Sequence, residues 1–136
     1  MRLFGRIQQT ANNSAPDNRL FIAFFIAVRA IKLMFRLNNF KNSQMFFRWI
    51  DMQFDPNKGS FAENLFPMSW RVMLSYLKGR QSIYDNDYGK ARDYLKFAFS
   101  YSHLDNPRNK KKILKFLVLV EINMNVFPTK ALLQKY

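Results

Sequence analysis

The feature that most constrains this chain is the punctuation of its last 49 residues, Tyr88 to Tyr136. Ala91, Tyr94, Leu95, Ala98 and Phe99 fall at i, i+3, i+4, i+7 and i+8, the stripe of one helix face. Asp105-Asn106-Pro107-Arg108-Asn109 then breaks the chain, because a proline disfavours helical geometry in the residue before it. A second helix is predicted from about Lys110, with Ile113, Phe116, Leu117, Val120 and Met124 on one side. Asn125 can take the left-handed conformation that ends a helix, and Pro128-Thr129 opens another with Thr129 as N-cap. Hairpins punctuated so regularly predict a repeat protein, which works by surface rather than through an active site.

Upstream, Arg2 to Asn12 reads as a short helix and Asn13 to Asn18 as a turn-forming linker. Arg19 to Leu37 is predicted to be a long, mostly buried helix whose exposed face carries Arg29, Lys32 and Arg36. Asn38-Asn39 makes a tight turn, and Phe40 to Gln53 returns as a second helix. Phe54 to Ser60 is a loop, and helix resumes near Met68 with Trp70, Met73, Leu74, Leu77 and Tyr84 on one stripe. The domain reading is an N-terminal helix and linker over 1–18, then a helical-repeat region over 19–136. Within it, Asn38-Asn39-Phe40, Ser43 and Phe47 are matched 48 residues later by Asn86-Asp87-Tyr88, Ala91 and Leu95. Small residues at Gly79, Ala91 and Ala98 keep the separations of close-approach positions in tetratricopeptide hairpins, so the predicted class is all-α, with tetratricopeptide-like helical hairpins.

Composition narrows the chemistry. The chain is 49% hydrophobic, with 15 Phe and only four Gly, which excludes a disordered polymer. It has no cysteine, which removes disulfides, thiol catalysis and Cys-based zinc sites. His103 is the only histidine, and no acidic pair stands near it at metal-ligand spacing. Asp85-Asn86-Asp87 lacks the further ligands of a calcium loop, and Lys78-Gly79-Arg80 lacks the rest of a phosphate loop. No cofactor, metal or catalytic residue is therefore expected, and the chain is read as a non-enzyme. Leu20 to Val28 is nine apolar residues, far short of the ~20 a bilayer span needs, so membrane insertion is not expected. A peripheral membrane-surface role for that helix is a minor alternative.

Net charge is the second strong constraint. With 22 Lys/Arg against nine Asp/Glu the formal charge is +13, which favours a polyanionic partner. The cations are densest at Arg108, Lys110, Lys111, Lys112 and Lys115, where a helix start and its dipole disfavour positive charge.

The stretch Tyr76 to Phe99 resembles the helical part of PCI-domain proteins, a family shared by the proteasome lid, the signalosome and a translation initiation factor. The likeness is strongest to the branch serving the nuclear-pore-associated transcription-and-mRNA-export complex, the signalosome-subunit-12-like proteins. It is carried by Gly79-Arg80, Ala91/Tyr94/Leu95/Ala98/Phe99, Asn109-Lys110, Ile113-Leu114, Pro128-Thr129, Leu132-Leu133 and Tyr136. Lys32 to Phe40 and Trp49-Ile50-Asp51 also resemble it. Leu119 stands where the family commonly has a proline. The resemblance implies the solenoid half of a PCI domain, C-terminally truncated, since relatives continue into a winged-helix module. It implies a nuclear scaffold subunit, also found in the cytoplasm, whose partners are a large PCI-containing scaffold subunit and a small acidic subunit. Electrostatic contacts are expected at Arg108, Lys110, Lys111, Lys112 and Lys115, then at Arg71, Lys78 and Arg80. A signalosome or proteasome-lid subunit, and a stand-alone module binding RNA or DNA without sequence preference, are the alternatives.

Overall fold

A computed structural model describes residues 18–53, 67–103 and 106–135, with side chains from residue 21 onward. The predicted helix over Arg2–Asn12, the linker after it and the Phe54–Ser60 loop lie outside the described residues. Six helices are described: α1 (Asn18–Arg36), α2 (Phe40–Gln53), α3 (Met68–Tyr84), α4 (Tyr88–Tyr101), α5 (Pro107–Asn123) and α6 (Lys130–Lys135). No strand occurs among the described residues, and the fold is an all-α array of hairpins. The chain forms two compact units, one holding the α1–α2 hairpin and the other α3 to α6.

In the first unit, Ala23, Phe24, Ala27, Val28, Ile31 and Phe35 of α1 are buried, as are Ser43, Phe46, Phe47, Trp49 and Ile50 of α2. Phe35 meets Phe40 and Phe47 edge-on, with ring centroids 4.8 Å and 6.4 Å apart. The outer face of α1 carries more than the expected cations. Arg29 and Arg36 are exposed, but Ile22, Phe25, Leu33 and Leu37 share that face. A 19-residue helix this rich in apolar side chains carries more of them than one apolar stripe can take in.

In the second unit, Ala91, Leu95 and Ala98 of α4 and Ile113, Leu117 and Val120 of α5 form the buried cluster. Val72, Tyr76, Ile83, Tyr88, Phe99 and Phe116 pack around it. Gly79 lets α3 and α4 touch. A methyl group there would stand 2.7 Å from Cγ and 2.9 Å from Cδ2 of Leu95. The α3 stripe is rotated from the predicted one: Leu77 is buried, whereas Met73 and Tyr84 are exposed. The close approach at Gly79 turns that residue's side of the helix toward α4 and leaves the Met73 side outward.

Three of the helix ends share one geometry. Asn38, Asn86 and Asn125 are left-handed, with φ of 55°, 60° and 58°. The amide of the following residue bonds back to Met34, Ser82 and Glu121 carbonyls at 2.9, 2.8 and 2.8 Å. The asparagine's own amide bonds to Phe35, Ile83 and Ile122 carbonyls at 3.4, 3.1 and 3.0 Å. Each is a complete Schellman motif, satisfying carbonyls that a helix end would otherwise orphan. The internal repeat has the same physical content: after each of the first two asparagines an aromatic opens the next helix, and Ser43 and Ala91 are both buried.

Two further helix starts follow local rules. Asp87 caps α4, its carboxylate accepting from the Lys90 amide at 3.2 Å. Asn106 caps α5, accepting from the Asn109 amide at 3.4 Å. This α5 begins at Pro107, earlier than the expected start near Lys110, because proline is well suited to the first helical position. Thr129 precedes α6, and its carbonyl accepts from the amides of Leu132 and Leu133.

Candidate functional site

The densest cationic segment divides once it is folded. Arg108, Lys111, Lys112 and Lys115 are all exposed on α5, at i, i+3, i+4 and i+7, and so form one ridge. No ion pair involves them among the described residues. Along the same line of α5 the ridge continues into Leu119 and Ile122, 53% and 49% exposed, and beyond it stands Phe127, 78% exposed. From Arg108 to Ile122 this face runs about 21 Å at ~1.5 Å rise per residue. One half is cationic and the other apolar.

Lys110 belongs to the fold instead. It is 5% exposed, the opposite of the surface position expected for it. Its ammonium donates to the Phe99 carbonyl at 3.2 Å and sits 4.8 Å from the centre of the Phe99 ring. The cause lies in how α4 ends. Its C-cap Ser102 is extended rather than followed by a left-handed residue, so α4 lacks the Schellman bonds of the other three ends. The Phe99 carbonyl is served by Ser102 Oγ at 3.0 Å and by the Lys110 ammonium. A cation at the negative end of α4 is also favoured by the helix dipole. Lys110 thereby ties the start of α5 to the end of α4.

The only acid of α5, Glu121, is likewise turned inward. Its Oε1 lies 4.0 Å from Arg92 Nε and 3.9 Å from Lys96 Nζ, both on α4. Both contacts are longer than a hydrogen bond, and Arg92 Nε is buried without a hydrogen-bond partner, so the pairing is electrostatic only. It also leaves the outer ridge of α5 without any carboxylate of its own helix.

The remaining expected contact residues are each half-buried and set against rings. Arg80 lies 5.0 Å from the Phe116 ring and 5.7 Å from the Tyr76 ring, bridging α3 and α5. Those two rings meet edge-on at 5.9 Å. Burial raises the Tyr76 hydroxyl above its ordinary pKa, against the lowering effect of Arg80. Arg71 lies 5.5 Å from the Phe97 ring, and Lys78 lies 5.6 Å from the Tyr94 ring. Of the eight cations singled out from sequence, the fold gathers four on one ridge, places two on the α3–α4 edge and uses two as internal braces. Sequence reading missed Leu119 and Ile122 as surface residues. Their spacing from Lys115 by four and seven positions was the available signal.

Among the described residues no group of three His, Asp or Glu side chains could hold a metal ion. None of the described helices is long and apolar enough to cross a membrane. Helical hairpins with a close approach at Gly79 define a helical-repeat protein. Comparison with known proteins places it further. The chain is 32% identical over 120 residues to PCI domain-containing protein 2 of Xenopus laevis, covering 88% of this chain and 28% of that protein. It is 31% identical over 123 residues to the Drosophila melanogaster homolog, covering 90% and 29% of the two chains. It is 29% identical over 129 residues to a Protein CSN12 homolog of Gibberella zeae, covering 92% and 28%. No protein-family model matches, and no solved structure matches. The chain belongs to the PCI-domain family, and it spans less than a third of the length of these curated relatives.

Proposed function

We propose that the chain is a non-catalytic scaffold subunit of a nuclear complex coupling transcription to mRNA export, and that the α5 ridge docks an acidic partner. The observation that carries this reading is the ridge itself. Its four exposed cations repel one another, and Arg108 stands in the first turn of the helix, at the positive end of its dipole. A facing segment with acidic residues relieves that repulsion, and apolar residues two turns further along it cover Leu119 and Ile122. A phosphate backbone matches only the cationic half, so an acidic protein segment fits the ridge better than nucleic acid does. The partners proposed are a small acidic subunit on this ridge and a large PCI-containing scaffold subunit elsewhere. Both come from the family resemblance, which also suggests a nuclear site of action. The relatives named CSN12 homologs keep a signalosome-type assembly as a second reading, and the chains that co-purify separate the two.

The test is affinity purification of the whole chain and of the Arg108/Lys111/Lys112/Lys115→Glu variant, with Lys110 left intact. Exposed pairs contribute roughly 0.2–1 kcal/mol each, so an acidic subunit should bind the variant on the order of 10- to 100-fold more weakly. Raised salt should mimic the variant. Undiminished capture of the same acidic chain by the variant would remove the ridge from the interface.

A further inference from the structure

The outer face of the first hairpin has a different chemistry from the α5 ridge. On α1, Ile22, Phe25, Arg29, Leu33 and Arg36 fall at i, i+3, i+7, i+11 and i+14, a stripe opposite the buried Ala27 and Ile31. Leu37 extends the stripe just past the helix end. All six side chains are exposed, and Ile22, Leu33 and Leu37 are each more than half so. The winding of the helix sets these three along one flank of the stripe and Phe25, Arg29 and Arg36 along the other. Arg29 stands 5.0 Å from the centre of the Phe25 ring. Cations and large apolar side chains therefore alternate along the whole face, whereas α5 keeps them in separate halves. The exposed stripe of α2 repeats the alternation, with Lys41, Met45, Arg48 and Met52 at i, i+4, i+7 and i+11. Four basic residues on α1 and two on α2 stand against one acid, Asp51.

We propose that the outer face of α1 binds an anionic membrane surface, with Ile22, Phe25, Leu33 and Leu37 at the boundary of headgroups and acyl chains and Arg29 and Arg36 among the lipid anions. The helix lies on the surface and does not span it. Three physical arguments select this partner. A bilayer surface offers negative charge and hydrocarbon within the reach of one side chain, because an arginine stem can lie among apolar groups while its head stays with the headgroups. Both demands are then met at every turn, as the alternation requires. Between Ile22 and Leu37 no acidic or neutral polar side chain interrupts the helix, so the face lacks the hydrogen-bonding rim of a protein interface. A second copy of α1 would bring the same cations and no acid, setting like charges together. The face is separate from the α5 ridge, which belongs to the other compact unit, and the proposal does not rest on that ridge.

The experiment is co-sedimentation of the full chain with vesicles of about one-third phosphatidylserine in phosphatidylcholine, and with pure phosphatidylcholine vesicles, across a salt series. The anionic vesicles should take up the chain, less so as salt rises, and the neutral ones should take up far less. Arg29→Gln and Arg36→Gln should each weaken the partition about 5-fold. Leu33→Ala and Leu37→Ala should each weaken it roughly 3- to 10-fold. All four side chains are exposed, so these variants keep the fold, and a thermal melt verifies this. Because the chain has no cysteine, an environment-sensitive dye on a single Leu33→Cys variant reports on this face alone. Its emission should shift to the blue on anionic vesicles. Reversal of the four α5 cations lowers general attraction to the anionic surface but should leave the Leu33→Ala effect and the blue shift in place. Absence of binding to anionic vesicles at low salt, unchanged partition of the two leucine variants, or a dye that does not shift each overturns the proposal. So does dimerisation that Leu33→Ala abolishes, which would assign the face to a second copy. A glutamate-rich helical peptide that displaces the chain from vesicles through Leu33 and Leu37 would assign it to a protein partner and overturn the proposal as well.

Discussion

Replacing Gly79 by alanine adds one methyl group where α3 and α4 touch. The added carbon would lie 2.7 Å from Leu95 Cγ, 2.9 Å from Cδ2 and 3.4 Å from the Ala91 carbonyl. Favourable carbon–carbon contact begins near 3.5 Å, so the first two distances are deep in the repulsive range. Cγ is the branch point of Leu95 and moves only with the whole side chain, which is fully buried. Overpacking of this kind costs about 1–3 kcal/mol. Against it stands the gain of about 1 kcal/mol when alanine replaces glycine inside a helix. The expected net loss is about 0–2 kcal/mol, or up to roughly 10 °C in Tm for a domain of this size. Gly89 supplies the control, because its added methyl meets only Asp87 Oδ1, at 3.8 Å. Gly89→Ala should therefore raise stability by about 0.4–1 kcal/mol. The assay is thermal and urea unfolding followed by circular dichroism. In a Leu95→Ala background the obstruction is gone, and Gly79→Ala should become neutral or stabilising. A Gly79→Ala variant that melts above the parent would refute the close-approach account, leaving helix propensity as the only effect at that position.

Two other outcomes follow from the helix ends. Lys110→Met keeps the apolar stem but removes the donor to Phe99 and the cation over its ring, and should cost about 1–3 kcal/mol in urea unfolding. Lys111→Met, on the exposed ridge, should stay within about 0.5 kcal/mol of the parent. Asn86→Ala removes the short polar side chain that makes the left-handed conformation tolerable and should cost about 1 kcal/mol, while Asn86→Gly should be neutral to stabilising. Equal melting of the two Asn86 variants would show that the turn geometry contributes nothing.

Much of the fold was legible because it rests on local rules. Asn38, Asn86 and Asn125 sit where a left-handed residue must close a helix, and few side chains tolerate that conformation. The Ala91/Leu95/Ala98 stripe, the close approach at Gly79 and the boundaries of α2 could all be read from spacing and residue size. The family resemblance was readable for the same reason, since its motif is made of these turn and contact positions. What spacing could not supply was the phase of each apolar face against its neighbours. Met73 and Tyr84 of α3, and Met124 just after α5, fit an apolar stripe by period yet lie outside the core. Leu119 and Ile122 join the cations instead of the interior.

The candidate site shows the same division. By itself the sequence determined that cations crowd the start of α5 and that helical hairpins carry them. Only the tertiary structure separated Lys110 from Arg108, Lys111, Lys112 and Lys115. That separation depends on a carbonyl eleven residues earlier in the chain, left open because α4 ends in an extended serine rather than a left-handed asparagine. The tertiary structure likewise sent Glu121 inward to Arg92 and Lys96, and so made the outer ridge purely cationic and apolar. A residue's charge is written in the sequence; whether it braces the fold or faces a partner depends on which groups of other helices are left without a match beside it.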